Sequence, residues 1–209
     1  MAQKKALVIG GSGGIGRAVI STLLTDGFFV CTTYAHDDER GKAWRHSFAG
    51  KPVCFYQMDL LDYEGARRTL QIIRSEHERI DVIVFGPTLP KIHKALLECA
   101  WSDFEEHLQV QLRGMVEIVE NSKEQIRSKY STRFIIMLTE ASIGKPPSHM
   151  APYVTAKYAL MGFCKTVAVE LGRYGLRINM ISPGMINTDL LNDFPIKAVE
   201  LAASKNPDG

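Results

Sequence analysis

The sequence predicts a doubly wound α/β fold, a parallel sheet flanked by helices on both faces. Two observations predict it. Six apolar runs of strand length alternate with segments of helical periodicity along the chain, and the first run ends in a glycine cluster, Gly10-Gly11-Ser12-Gly13-Gly14-Ile15-Gly16, that opens the first helical segment. Strands buried on both faces read as continuous apolar runs, which is the pattern here.

The strand-like runs are Ala6 to Ile9, Phe28 to Tyr34, Val53 to Met58, Val82 to Phe85, Phe134 to Leu138 and Arg177 to Ile181. Helical spacing between them predicts helices over 14–26, 38–49, 62–77, 101–129 and 150–173. The segment Ser142 to Pro152, with Gly144, Pro146, Pro147 and Pro152, is the clearest loop. It runs directly into the last of these helices and is expected to wall a site, because ligands of such folds gather at the carboxyl ends of the strands.

A chain of 209 residues with 45% hydrophobic composition buries one core, so a single domain over 1–209 is expected. Its net charge of +2 provides no field that would gather nucleic acid or anionic lipid. The apolar run after the basic Met1-Ala2-Gln3-Lys4-Lys5 stops at Gly10, too short for a signal core or a membrane span, and a cytoplasmic location is expected. Cys31, Cys54, Cys99 and Cys164 are scattered in apolar stretches and read as small buried hydrophobes in a reducing compartment. No metal site is visible.

Tyr153 and Lys157 stand four apart on a predicted helix, so they share a face, and an ammonium beneath a phenol lowers its pKa toward working pH. The glycine cluster fits two dinucleotide patterns, Gly11-x-Gly13-x-x-Gly16 and Gly10-x-x-x-Gly14-x-Gly16. Both use glycine for a tight turn and for close approach of backbone to a pyrophosphate resting on a helix N-terminus. An acidic residue at the end of the second strand would select NAD(H). Here the strand ends Thr33-Tyr34-Ala35-His36, with no carboxylate before Asp37 and Asp38, which points to NADP(H), helped by Arg17, His36, Arg40 and Lys42. His93, His107 and His149 share no motif and read as structural or surface residues, His149 having the best claim to line a substrate pocket. Trp44 and Trp101 read as packing residues.

Four motifs in order carry a resemblance. They are Gly10-x-x-x-Gly14-Ile15-Gly16, Asp59-Leu60, Tyr153-x-x-x-Lys157, and Asn179-x-x-Ser182-Pro183-Gly184-x-Ile186-x-Thr188-Asp189. The chain resembles the short-chain dehydrogenase/reductase family throughout, and is similar to its reductases of 3-oxoacyl thioesters on acyl carrier protein. The resemblance implies a Rossmann-like fold and NADP-dependent reduction of a ketone or 3-oxoacyl thioester, small or carrier-bound, by a homodimer or homotetramer. It implies Tyr153 as general acid and Lys157 as holder of the nicotinamide ribose. It implies Asp59 near the adenine amino group and the Pro183 to Thr188 segment as a clasp on the nicotinamide end. Ser12, Tyr34, Leu60, Gly86 and Pro87 join the glycines around the cofactor.

The departures matter as much. The family's serine before the tyrosine falls on Glu140 when counted back from Tyr153 and on Thr139 when counted along the strand. A hydroxyl can donate to a developing alkoxide and an ionised carboxylate cannot, so Thr139 is preferred, with Ser142 as the alternative. Phe85-Gly86-Pro87-Thr88 stands where the family has Asn-Asn-Ala-Gly, so the phenyl ring must pack elsewhere. Gln111 replaces the fourth-helix asparagine of the family's proton relay. Relatives continue past Asp189 with another helix and a last strand, and that strand is expected to be missing here. A dinucleotide-binding partner subunit without catalysis and an NAD-dependent alcohol dehydrogenase are the alternatives.

Overall fold

The computed structural model describes residues 3–90, 93–191, 194 and 204. In chain order these form β1 (Lys5–Ile9), α1 (Gly14–Thr25), β2 (Phe29–Tyr34), α2 (Glu39–His46), β3 (Val53–Gln57), α3 (Tyr63–His77), β4 (Val82–Phe85), α4 (Trp101–Leu108), α5 (Gly114–Asn121), α6 (Lys123–Arg127), β5 (Arg133–Met137), α7 (Ala151–Leu171) and β6 (Arg177–Ile181). The strands form one sheet of order β3-β2-β1-β4-β5-β6, and every neighbouring pair is parallel. This is the Rossmann-like doubly wound order, with its crevice where the winding reverses between β1 and β4.

Alternation along the strands divides the core in two. Leu7, Ile9, Cys31, Ile83, Phe85, Phe134 and Ile136 face the layer of α3, α5, α6 and α7, whereas Ala6, Val8, Val30, Val82 and Val84 face Ile20 of α1 and Trp44 of α2. Each fully buried branched or aromatic side chain among them contributes about 1.5–3 kcal/mol. Helix starts carry their own signals: Asp38 and Asp62 accept the backbone N–H groups of Gly41 and Gly65 as N-caps, and Pro152 sits in the first turn of α7. Phe85, displaced from the family pattern, is 1% exposed and packs against Leu60 and Gly114 in the first core.

The structure corrects three expectations. The single helix over 101–129 is interrupted: a π-helical turn, Gln109–Arg113, separates α4 from α5, and Ser122, at φ −86° and ψ −3°, separates α5 from α6. Trp101 is not a packing residue. As the first residue of α4 it stands 69% exposed, stacked on Phe104. The cysteines are less uniform than expected: Cys31 and Cys54 are directly opposed on β2 and β3, and Cys54 is only half-buried because β3 is the sheet edge, as is Cys99 in a loop. Burial pushes the thiols of Cys31 and Cys164 up to about 12. The other edge of the sheet among the described residues is β6.

Candidate active site

The glycine turn between β1 and α1 is built for close backbone approach. Gly10 has φ +83°, and a Cβ there would lie 3.1 Å from the Pro87 nitrogen. At Gly16 a Cβ would lie 2.4 Å from the Gly10 carbonyl oxygen, and at Gly14 it would lie 2.5 Å from Thr188 Cγ2. Gly13 is the N-cap of α1; no side chain caps that helix, and its first turn carries no acid. A donor-rich positive helix end beside a cradle that any Cβ would fill fits the pyrophosphate of a dinucleotide. Ile15 packs into the α1 face of the core, and Ser12 presents its carbonyl to Arg17 Nε at 2.7 Å.

The segment after β6 closes on this turn. The Glu140 N–H donates to the Pro183 carbonyl at 2.9 Å, the Glu140 carboxylate leaves only 3.1 Å for a side chain on Gly184, and the segment then runs through the exposed Ile186 to Thr188 on Gly14. Asp189 pairs with Arg40 at 2.9 Å, joining this clasp to the start of α2. Gly86 and Pro87 leave β4 beside Gly10, with the Gly86 N–H donating to the Ile9 carbonyl. Asp59 accepts the Leu61 N–H at 2.9 Å, and Leu60 is buried in the core beneath it.

Tyr34 ends β2, and its ring carries the Arg45 guanidinium at 4.4 Å. Arg45 also pairs with Asp37, so the first carboxylate after β2 is already neutralised. Of the cations singled out from sequence, Arg17, Arg40 and Lys42 are engaged with Ser12, Asp189 and Glu39. Arg45 was missed because it lies a full helix beyond the strand end, at a position no short motif covers.

Tyr153, Lys157 and Thr139 come together where β5 meets α7, and the π-helical turn that carries Gln111 packs against the same helix. The first turns of α7 bury Tyr153 and Lys157 on one face, at 6% and 3% exposure. The Thr139 hydroxyl lies close enough to the Tyr153 phenol to favour its ionised form, while its oxygen accepts the Ala141 N–H at 3.3 Å. Lys157 Nζ donates to the Met137 carbonyl at 2.7 Å and lies 5.6 Å from the Tyr153 ring centre. Ser142, the alternative to Thr139, turns its hydroxyl to the Thr139 carbonyl at 2.7 Å.

Burial sets the electrostatics of the pair. It holds the Tyr153 phenol above its usual range, against a smaller lowering by the Thr139 hydroxyl, and pushes Lys157 down to about 7. Burial thus disfavours both charged forms, phenolate and ammonium, in the cofactor-free protein.

Gln111 is fully buried on the π-helical turn, and both its amide atoms lack protein partners, as do Thr88 Oγ1 and His107 Nδ1. His107, one turn earlier, is 5% exposed and sets its ring edge-on to Tyr153 at 6.1 Å, so it belongs to the site rather than to the surface. Its spacing of four from Gln111 was the sequence signal available. His149, at φ +63°, touches His93 at 4.9 Å, and His93 touches Phe194. Phe194, Leu190 and Ala141 pack with Met150 and Tyr153 to form the outer wall. Among the described residues no group of His, Cys, Asp and Glu is placed to hold a metal ion.

Comparison with known proteins agrees with this geometry. The short chain dehydrogenase family model matches residues 4–197. Zerumbone synthase of Zingiber zerumbet is 27% identical over 192 residues, covering 90% of this chain and 70% of that protein. The 3-oxoacyl-acyl-carrier-protein reductase FabG of Staphylococcus aureus is 27% identical over 192 residues, covering 90% of this chain and 76% of the reductase. Structures of ElxO, one with NADP bound and one of a Tyr-to-Phe variant with NADPH bound, superpose at TM-score 0.82 with 25% identity, over 95% of this chain and 80% of theirs. The chain belongs to the short-chain dehydrogenase family and is a nicotinamide-dependent oxidoreductase.

Proposed function

We propose that this protein reduces a ketone or a 3-oxoacyl thioester with NADPH, Tyr153 supplying the proton. The observation that carries this reading is the buried Tyr153 phenol, with the Thr139 hydroxyl near it and Lys157 beneath its ring. Burial keeps the phenol protonated, which loads the donor form that reduction needs and disfavours the phenolate that alcohol oxidation needs. When bound, the nicotinamide supplies the hydride. Thr139 donates to the substrate oxygen as charge develops there, Lys157 holds the nicotinamide ribose, and Gln111 steadies the proton path behind the lysine.

Preference for the phosphorylated cofactor is supported by Arg45. Its guanidinium stands 4.4 Å from the centre of the Tyr34 ring, at the strand end where a ribose-binding carboxylate would stand, and it silences Asp37. A fixed cation at the strand end favours a 2′-phosphate over two hydroxyls. The similarity to FabG supports a thioester substrate, free or delivered on a carrier protein, and the apolar wall of Met150, Leu190 and Phe194 suits an acyl chain. No helix of the described residues is long and apolar enough to cross a membrane.

Paired fluorescence titrations with NADPH and NADH, followed by turnover of 3-oxoacyl thioesters and simple ketones, test the reading. NADPH is expected to bind more tightly and to be consumed with at least one of these substrate classes. Binding without turnover of either class would instead indicate a non-catalytic dinucleotide-binding protein.

A further inference from the structure

Asp103, His107 and Gln111 follow one another at intervals of four along α4 and into the π-helical turn, so they share a helix face. That face turns from solvent into the active site. Asp103 is at the outer end, partly exposed and paired with Lys94 at 2.7 Å. His107 is in the middle, 5% exposed, with its ring edge on Tyr153 and its Nδ1 buried without a protein partner. Gln111 is innermost, with both amide atoms buried and unpartnered. Buried polar atoms of this kind are costly unless something bonds to them, and a water is the smallest group that would satisfy several at once.

We propose that His107 supplies the proton that restores Tyr153 after each reduction, taking it from solvent beside Asp103 and passing it inward along the face it shares with Gln111. The inference rests on the reading of Tyr153 as general acid. The carbonyl carbon gains the hydride and its oxygen takes the phenol proton, leaving a phenolate. The His107 imidazolium then gives one proton, through water, to that phenolate and becomes neutral, and solvent reprotonates it. One proton from solvent is consumed per turnover, as reduction of a carbonyl by a hydride requires. His107 acts through Tyr153, against whose ring it lies edge-on.

The charged groups around His107 fix the sign of its pH dependence. Burial holds it below the usual histidine range; Asp103 on its own helix raises it, and Lys157 on α7 lowers it, with the Tyr153 phenol against its ring and Lys94 held by Asp103. A protonated donor is lost as pH rises through the His107 pKa, so reduction should fall over that limb. Removing the Asp103 charge should move the limb to lower pH.

The test uses the full chain as wild type, His107→Gln, His107→Leu, Asp103→Asn and Tyr153→Phe. Side-chain NMR of the cofactor-free protein, with the His107 signal assigned by its loss in His107→Gln, is expected to show a titration below that of an ordinary histidine, shifted further down in Asp103→Asn. The kcat limb for reduction should follow that shift, and both His107 variants should lose the limb and about 10- to 100-fold in kcat. Asp103→Asn keeps the test available if His107→Leu fails to fold. A wild-type rate and profile in His107→Gln would reduce the residue to a hydrogen-bonding filler and overturn the proposal, as would a kcat limb that ignores the NMR shift. Full activity in Tyr153→Phe would instead remove the underlying reading of the tyrosine.

Discussion

Lys157 Nζ donates to the Met137 carbonyl at 2.7 Å and stands 5.6 Å from the centre of the Tyr153 ring, so the end of β5, not the phenol, holds the amine. Burial pushes this lysine down to about 7, whereas in an unfolded chain it titrates near about 10.4. Between those values the unfolded chain carries a proton that the folded one lacks, so folding stability rises with pH across the window and is lowest below it. Chemical denaturation of the cofactor-free protein should show a slope of up to about 1.4 kcal/mol per pH unit that is flattened in Lys157→Met. Identical slopes in the two proteins would mean that the lysine stays charged in its burial.

Tyr153→Phe is expected to bind NADPH within about threefold of wild type and to lose nearly all turnover, since only the proton donor is removed. Thr139→Ala should cost about 10- to 1000-fold in kcat with little change in cofactor affinity. Ser142→Ala should cost at most about 1 kcal/mol of stability, because its hydroxyl is bonded to the Thr139 carbonyl. A larger kcat loss at Ser142 than at Thr139 would reverse the two roles.

Arg45→Ala should weaken NADPH binding by about 10- to 100-fold and leave NADH within about threefold, because it removes the cation on Tyr34 and frees the Asp37 carboxylate. Equal losses for both cofactors would show that Arg45 only braces the Tyr34 ring.

Two glycines of the turn should differ in kind. At Gly14 the obstacle to a methyl group is the tip of the Thr188 side chain, so Gly14→Ala is expected to raise the KM for NADPH and to be partly relieved by Thr188→Ser. At Gly16 the obstacle is the Gly10 backbone, which cannot step aside, and Gly16→Ala should destabilise the fold by about 1–3 kcal/mol. Melting temperatures and cofactor titrations of the three variants separate these effects.

The sheet was legible because its strands are short apolar runs divided by turn residues, and each lies within a residue or so of its place in the structure. The Tyr153 and Lys157 pair and the glycine turn were legible because their chemistry is local to one helix and one loop. The interruption at Gln109–Arg113 was not: no proline or glycine lies within Gln109–Arg113 to mark a break in the helical pattern. His107 was missed because its spacing of four from Gln111 says nothing of the Tyr153 ring that it meets across the fold, and Arg45 because it reaches back over α2 to Tyr34 and Asp37.

The π-helical turn also constrains how this chain can change. Removing one residue from Gln109–Arg113 would let regular α-helical hydrogen bonding run unbroken from α4 to α5, and because the wide turn takes up one residue more than an α-helical turn, the flanking helices would keep nearly their present orientations. The helix would gain regularity while the buried side chain of Gln111, inside the turn, was re-aimed. A protein shortened in this way should melt no lower than its parent and differ from it chiefly at the buried end of the site, so a regular helix and the present placement of Gln111 exclude one another.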